Sequence, residues 1–146
     1  MYTEQMSEKL AVVATIDPDS YSANTYYTDA IDMRVFRRAM FVVAVGDMAS
    51  GATVDFSVVE GTTTSPTTAM SPAKAITQLT QASTDGDKQA VVEVAAEEMN
   101  PANRYIRGKL VVATDACDVA VIGLATIGRY KPENAYDLAS VDEIVV

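Results

Sequence analysis

The sequence predicts an all-β fold, an antiparallel β-sandwich or jelly roll of about eight strands. Three observations carry that expectation. Residues 52–58 alternate without a break: Ala52, Val54, Phe56 and Val58 fall on one face, Thr53, Asp55 and Ser57 on the other. This is the period of a strand with one wet and one buried side. Short apolar runs recur along the chain, separated by clusters of Gly, Pro, Asp, Asn and Ser that favour turns. The apolar and small residues are dominated by Val, Thr and Ala, and the β-branched share suits a pleated surface.

Residues 1–9 precede the first strand and read as an N-terminal arm. They carry two Glu and no basic n-region, and the run after them is too short to cross a membrane, so a cytosolic product with no signal peptide is expected. Leu10–Ile16 (LAVVATI) is the first strand. Asp17-Pro18-Asp19-Ser20 ends it, because proline has no N–H for the ladder. The Asp-Pro-Asp pair invites a calcium-loop reading, but the further oxygen ligands and the closing Glu are missing at the required spacing; an ordinary turn is the better reading. Asn24–Met33 is a second strand, with Tyr26, Thr28 and Ala30 on one face and Tyr27, Asp29 and Ile31 on the other.

The central stretch Ala39–Glu60 reads as a β-hairpin. Its first limb, Ala39–Val45, is apolar on both faces and is expected to be deeply covered. Gly46, Asp47, Ser50 and Gly51 supply the turn, and residues 52–60 form the alternating limb. Gly61–Pro72 (GTTTSPTTAMSP), a Thr/Ser tract with two prolines, is expected to be a long exposed loop. In Ala75–Gln81, Ile76 and Leu79 are spaced as on a helix, but the Thr and Ile content favours a strand. Ser83–Asp87 is a turn, and Lys88–Ala96 is a strand with Ala90, Val92 and Val94 inward. Glu97–Asn103 is a helical turn or loop broken by Pro101. Arg104–Thr114 is a strand with Ile106, Leu110 and Val112 on one face and Arg107 and Lys109 opposite. After a turn in 115–118, Val119–Ile127 is a continuous apolar strand that pairs with it as a second hairpin. Residues 10–130 thus form one sandwich domain. Residues 131–146, ending LASVDEIVV, form a C-terminal arm that either adds a final strand or docks on a neighbouring subunit.

The chain has 146 residues, enough for one domain with a core, and 49% of them are hydrophobic. Eleven Lys and Arg against 20 Asp and Glu give a net charge of −9, which argues against direct nucleic-acid binding. Arg34, Arg37 and Arg38 are a local basic cluster, read as strand-end charges paired with carboxylates or, more sharply, as a docking patch for an acidic partner. The single cysteine, Cys117, lies in an apolar stretch and reads as a buried, inert thiol. No His is present, so the usual base for a Ser or Cys nucleophile is missing, and zinc ligands are too few. Phosphate-binding loops and the GxSxG elbow are absent from the sequence. The carboxylate pairs Asp85/Asp87 and Glu97/Glu98 lie in polar turns and read as solvated surface groups, not as a glycosidase site. Tyr21, Tyr26 and Tyr27 could stack on sugars or bases, but packing at a sheet margin accounts for them better. No catalytic, cofactor or metal residue is therefore assigned, no cofactor is expected, and a carboxylate enzyme ranks last.

Several stretches resemble small virion proteins of tailed bacteriophages: ATIDPDSY, TDAIDMRVFRRAMFVVAVGDMASGATVDFSVVE, KAITQLTQASTDGDKQAVVEV, RYIRGKLVVAT and DLASVDEIV. Together they cover most of the chain, and they are structural rather than catalytic. The resemblance implies a β-sandwich or jelly-roll subunit of the phage head, of the decoration (cement) or minor capsid type. It implies binding to the major capsid protein lattice at the capsid surface, after assembly in the host cytoplasm, with no membrane partner. A homo-oligomer follows, a trimer being favoured because head subunits meet at three-fold points. After VDF–E this chain carries GTTTSPTTAM where the family has a different excursion, so lattice contacts made there do not carry over. The alternatives are a head–tail joining or tail structural protein, and a carbohydrate-binding sandwich module.

Overall fold

A computed structural model describes residues 5–126, 141 and 143. Ten strands run in order: β1 Leu10–Tyr21, β2 Asn24–Tyr27, β3 Ile31–Asp32, β4 Arg38–Met48, β5 Thr53–Gly61, β6 Thr68–Ala69, β7 Leu79–Thr80, β8 Gln89–Ala95, β9 Tyr105–Ala113 and β10 Cys117–Thr126. They form two antiparallel sheets. Sheet A has the order β1-β10-β4-β8; sheet B has β2-β9-β5-β6, with β3 also on β9 and β7 also on β5. β2 and β3 follow one another along β9. Likewise β6, the bridge Ser57↔Ala75 and β7 run down β5 as one interrupted strand. Joined in this way, the ten strands reduce to eight, ordered 1-8-3-6 in one sheet and 2-7-4-5 in the other. That is a jelly roll, in which almost every connection crosses between sheets. The described part of the N-terminal segment is one 3-10 turn, Met6–Glu8, whose Glu8 carboxylate accepts from the Gln5 N–H at 2.8 Å.

The two expected hairpins are corners instead. β4 pairs with β10 and β8, whereas β5 pairs with β9, β6 and β7; β9 and β10 likewise belong to opposite sheets. Alternation requires only that one face of each limb be buried. Two strands that face each other from opposite layers meet that demand as well as two that lie side by side. The β4–β5 corner is tight: the Ala52 N–H donates to the Ala49 carbonyl at 2.9 Å, and Gly51 takes φ +79°, open to glycine at no steric cost.

Three further expectations are corrected. Asp17-Pro18-Asp19 does not end β1, which continues to Tyr21. The register shifts between Ile16 and Asp19, and β1 is an edge strand, so Pro18 sits at a bulge where its missing N–H costs little. The Thr/Ser tract is not loop throughout: Thr68–Ala69 pairs with Val59–Glu60, and Met70 is buried. The expected single strand Asn24–Met33 breaks at Thr28, whose N–H donates to the Gly108 carbonyl (3.0 Å) and whose hydroxyl accepts the Gly108 N–H (2.9 Å).

The inner faces supply the core. Phe41 and Val43 of β4 and Val121 of β10 meet Val54, Phe56 and Val58 of β5 and Leu110 and Val112 of β9, all buried. The Phe41 and Phe56 rings lie 5.5 Å apart between centroids, close enough for a favourable tilted contact. Burying a Phe or Val side chain is worth roughly 1.5–3 kcal/mol. The Phe56 ring also lies over Gly108, where a Cβ would stand 2.6 Å from Phe56 Cζ. Glycine is therefore required there by space.

Two consequences follow for stability. Phe56→Asp should unfold the domain, read as loss of the β circular-dichroism signal. Gly108→Ala should cost about 1–3 kcal/mol by overpacking. With Phe56→Leu in the background the same change should cost clearly less, a non-additive cycle measured by urea unfolding.

Candidate interaction surface

The two sheets differ on their outer faces. On sheet A, cross-strand pairing aligns Val12, Leu124 and Met40 in one row, Thr15, Ile122, Val42 and Val91 in the next, and Ala120 with Ala44 in a third. Val91 is 58% exposed and Ile122 44%. On sheet B the outward residues of the long strands are mostly polar: Thr53, Asp55 and Ser57 of β5, Arg107 and Lys109 of β9. Sheet B is solvated in the ordinary way. Sheet A carries a contiguous apolar band, the kind of patch that marks a binding surface.

Charge frames the band. Toward the Arg38 end, Arg38 lies 3.7 Å from both Glu93 and Glu97. Arg34 and Arg37 are exposed on the β3–β4 connection, which buried Met33 and Phe36 anchor. Lys74 meets Glu98 at 2.6 Å; the Ala95 N–H first, and Lys74 next, hold the Glu98 carboxyl below its usual range. Asp32 and Arg104 make a forked pair joining β3 to the start of β9, Arg104 Nε standing 3.0 Å from both carboxylate oxygens. Burial would raise the Asp32 carboxyl, but the hydrogen bonds from Arg104 and from the Arg34 N–H outweigh it and lower it. At the opposite end, Pro18, Asp19 and Ser20 border a shallow cleft with Gly46 and Asp118.

The other residues singled out by sequence have structural partners. The Tyr21 hydroxyl donates to the Asp17 carbonyl and that of Tyr26 to the Ser22 carbonyl, and their rings meet edge-on at 4.6 Å. The Arg107 guanidinium covers Tyr27 at 3.8 Å from the ring centroid, while its Nε donates to the Pro66 carbonyl. Asp85 accepts from the Thr80 N–H and from Lys88. Cys117 is buried, and burial first, then Asp118, raises its thiol pKa, which opposes thiolate formation. Among the described residues no group of three or more His, Cys, Asp or Glu is placed to hold a metal ion, and no helix is long and apolar enough to cross a membrane.

Sequence reasoning missed the band, although its signal was present. Ala39–Val45 is apolar on both faces, which predicts deep cover, and Val119–Ile127 is a continuous apolar run. Only one side of each strand enters the core: Ala39, Phe41, Val43 and Val45 are buried, while Met40, Val42 and Ala44 lie on the outer face.

No protein-family model matches the sequence, and no curated protein matches it. A solved structure with some likeness is that of infectious bursal disease virus, Gx strain, at 12% identity and a TM-score of 0.38. The match covers 89% of this chain and 34% of that one, so this chain spans about a third of its length. Likeness at that level carries neither fold nor function to this chain.

The Asp32–Arg104 pair sets an acid-side expectation. The folded Asp32 value lies below the unfolded one, about 3.9. Its contribution is therefore complete above about pH 4 and is lost as pH falls through the folded value. Asp32→Asn should cost about 1 kcal/mol near neutral pH, discounted because Arg104 is 38% exposed. It should also flatten the decline of the urea midpoint below pH 4.

Proposed function

We propose that this chain is a structural virion protein of the tailed-phage type, decorating and stabilising a head by binding the lattice of the major capsid protein. One observation supports this reading above the others: the apolar outer band of sheet A on an otherwise polar jelly roll. A decoration protein needs a stiff fold and one adhesive face, and it needs no active site. The band offers Met40, Leu124, Val42, Ile122 and Val91 side by side, with charged residues at both ends. That is an apolar centre with a polar rim, the anatomy of protein interfaces. A homo-oligomer, a trimer being favoured, would match three-fold points of a head lattice. The sequence resemblance to phage virion proteins points the same way.

A head–tail joining or tail role is the runner-up. It predicts rings of purified protein without capsids, which sizing would detect. The carbohydrate-module reading is weakened by the tyrosines: Tyr21 and Tyr26 pack on each other, and Arg107 occupies a face of Tyr27.

The test is co-sedimentation with heads lacking this protein. Val91→Asp and Val42→Asp, each checked for an unchanged circular-dichroism spectrum, should reduce occupancy at least tenfold. Asp55→Lys, on sheet B, should leave it unchanged. Full occupancy by the folded Val91→Asp and Val42→Asp variants would overturn the assignment of the docking face.

A further inference from the structure

The apolar band is more open at Val91 than at Ile122, which is 44% exposed. On the β1–β10 side, Val12, Thr15, Ala120 and Ile122 border a cavity whose other wall includes Val141 and Glu143. On the β4–β8 side, Val91 remains 58% exposed. We propose that the C-terminal end of the chain is the partner of the β1–β10 half of this face, seated there in cis. The β4–β8 half, centred on Val91, is then the part left for another subunit.

Three facts carry this. Val141 stands at the cavity beside side chains that sheet A turns away from its core. The end of the chain, VDEIVV, supplies apolar groups for an apolar face, where burial of each Val or Ile is worth roughly 1.5–3 kcal/mol. The reach is ample: β10 ends at Thr126, four residues along the strand from Ile122, about 14 Å. Residues 127–140 between Thr126 and Val141 could span about 45 Å or more when extended. The contact is apolar rather than ionic. Asp17 and Glu143 both border the cavity, and like charges there oppose seating, so added salt should not release it. The cap does not depend on the virion reading; only the role of the open half rests on it.

The test uses the full chain with Cys117→Ala. Thr15→Cys and Val141→Cys are introduced together and treated with a short bismaleimide at low protein concentration. The expected product is an internally linked monomer in most molecules, at low and at high salt. A control pair, Val91→Cys with Val141→Cys, should link several-fold less, because Val91 lies three strands from Thr15, about 14 Å away. Linked dimers as the main product would overturn seating in cis and assign the cap to a second copy. Absence of linkage, or equal linkage in the control, would overturn the cap altogether. None of these readouts involves a capsid, so failure here is distinguishable from failure of the virion reading. Full-length protein and a variant lacking residues 138–146 add a second measure. Loss of the end should raise hydrogen exchange in β1 several-fold while β9 stays protected; unchanged β1 exchange in the folded variant would also overturn the proposal.

Discussion

The contact that the rest of the molecule depends on is the Phe56 ring held between Phe41 and the bare backbone of Gly108. It lets two sheets close on each other with both inner faces dry. Phe56 pairs in register with Leu110, and its neighbours Val54 and Val58 pair with Val112 and Gly108. Across the gap, Phe41 pairs with Gly123, where β1 also approaches closely: a Cβ on Gly123 would stand 3.0 Å from that of Ala14. Each ring thus lies near a glycine on a neighbouring strand. The sandwich is set by where bulk is supplied and where it is withheld.

That inward packing fixes what remains outside. A strand turns alternate residues to opposite faces, so once Phe41, Val43 and Val121 enter the core, Met40, Val42 and Ile122 must point out. On sheet B the same rule puts Asp55, Ser57 and Lys109 outward, and water is an adequate partner for them. On sheet A it leaves valines, isoleucine, leucine and methionine. Solvent is a poor partner for that band, and the difference between the sheets gives the molecule a sidedness that neither its charge nor its composition conveys. Val141 and Glu143 border the band on its β1–β10 side, and the cap proposed there would divide it into a covered and an open part.

The period of residues 52–58 showed the buried face of β5 correctly, residue by residue, and the inward sets of β8 and β9 were equally legible. Fold class was legible too, because Val- and Thr-rich runs separated by Gly, Asp and Pro leave no place for a long helix. Strand partners were not legible. A corner and a hairpin present the same alternation and the same glycine-bearing turn, and only the choice of hydrogen-bonding neighbour separates them. Pro18 misled for a related reason: it breaks a ladder inside a sheet but not at a bulge on an edge strand, and edge position is a property of the whole fold. The band on sheet A was hidden in plain view. The two-sided apolar run Ala39–Val45 predicts deep cover, whereas one of its sides, with the outer side of β10, is the candidate interface. The expected C-terminal arm lies outside the described residues, apart from Val141 and Glu143, as does the end of the last predicted strand at Ile127.

In the proposed function, this jelly roll adheres to a larger shell through the outer face of sheet A. Imaging of heads carrying this protein, at a resolution that separates strands, tests it most directly. The expected image places sheet A against the capsid subunits, with Val91 and Val42 at the contact and the polar face of sheet B turned to solvent. Sheet B against the shell with the band of sheet A facing water, or heads that carry none of this chain, would contradict it.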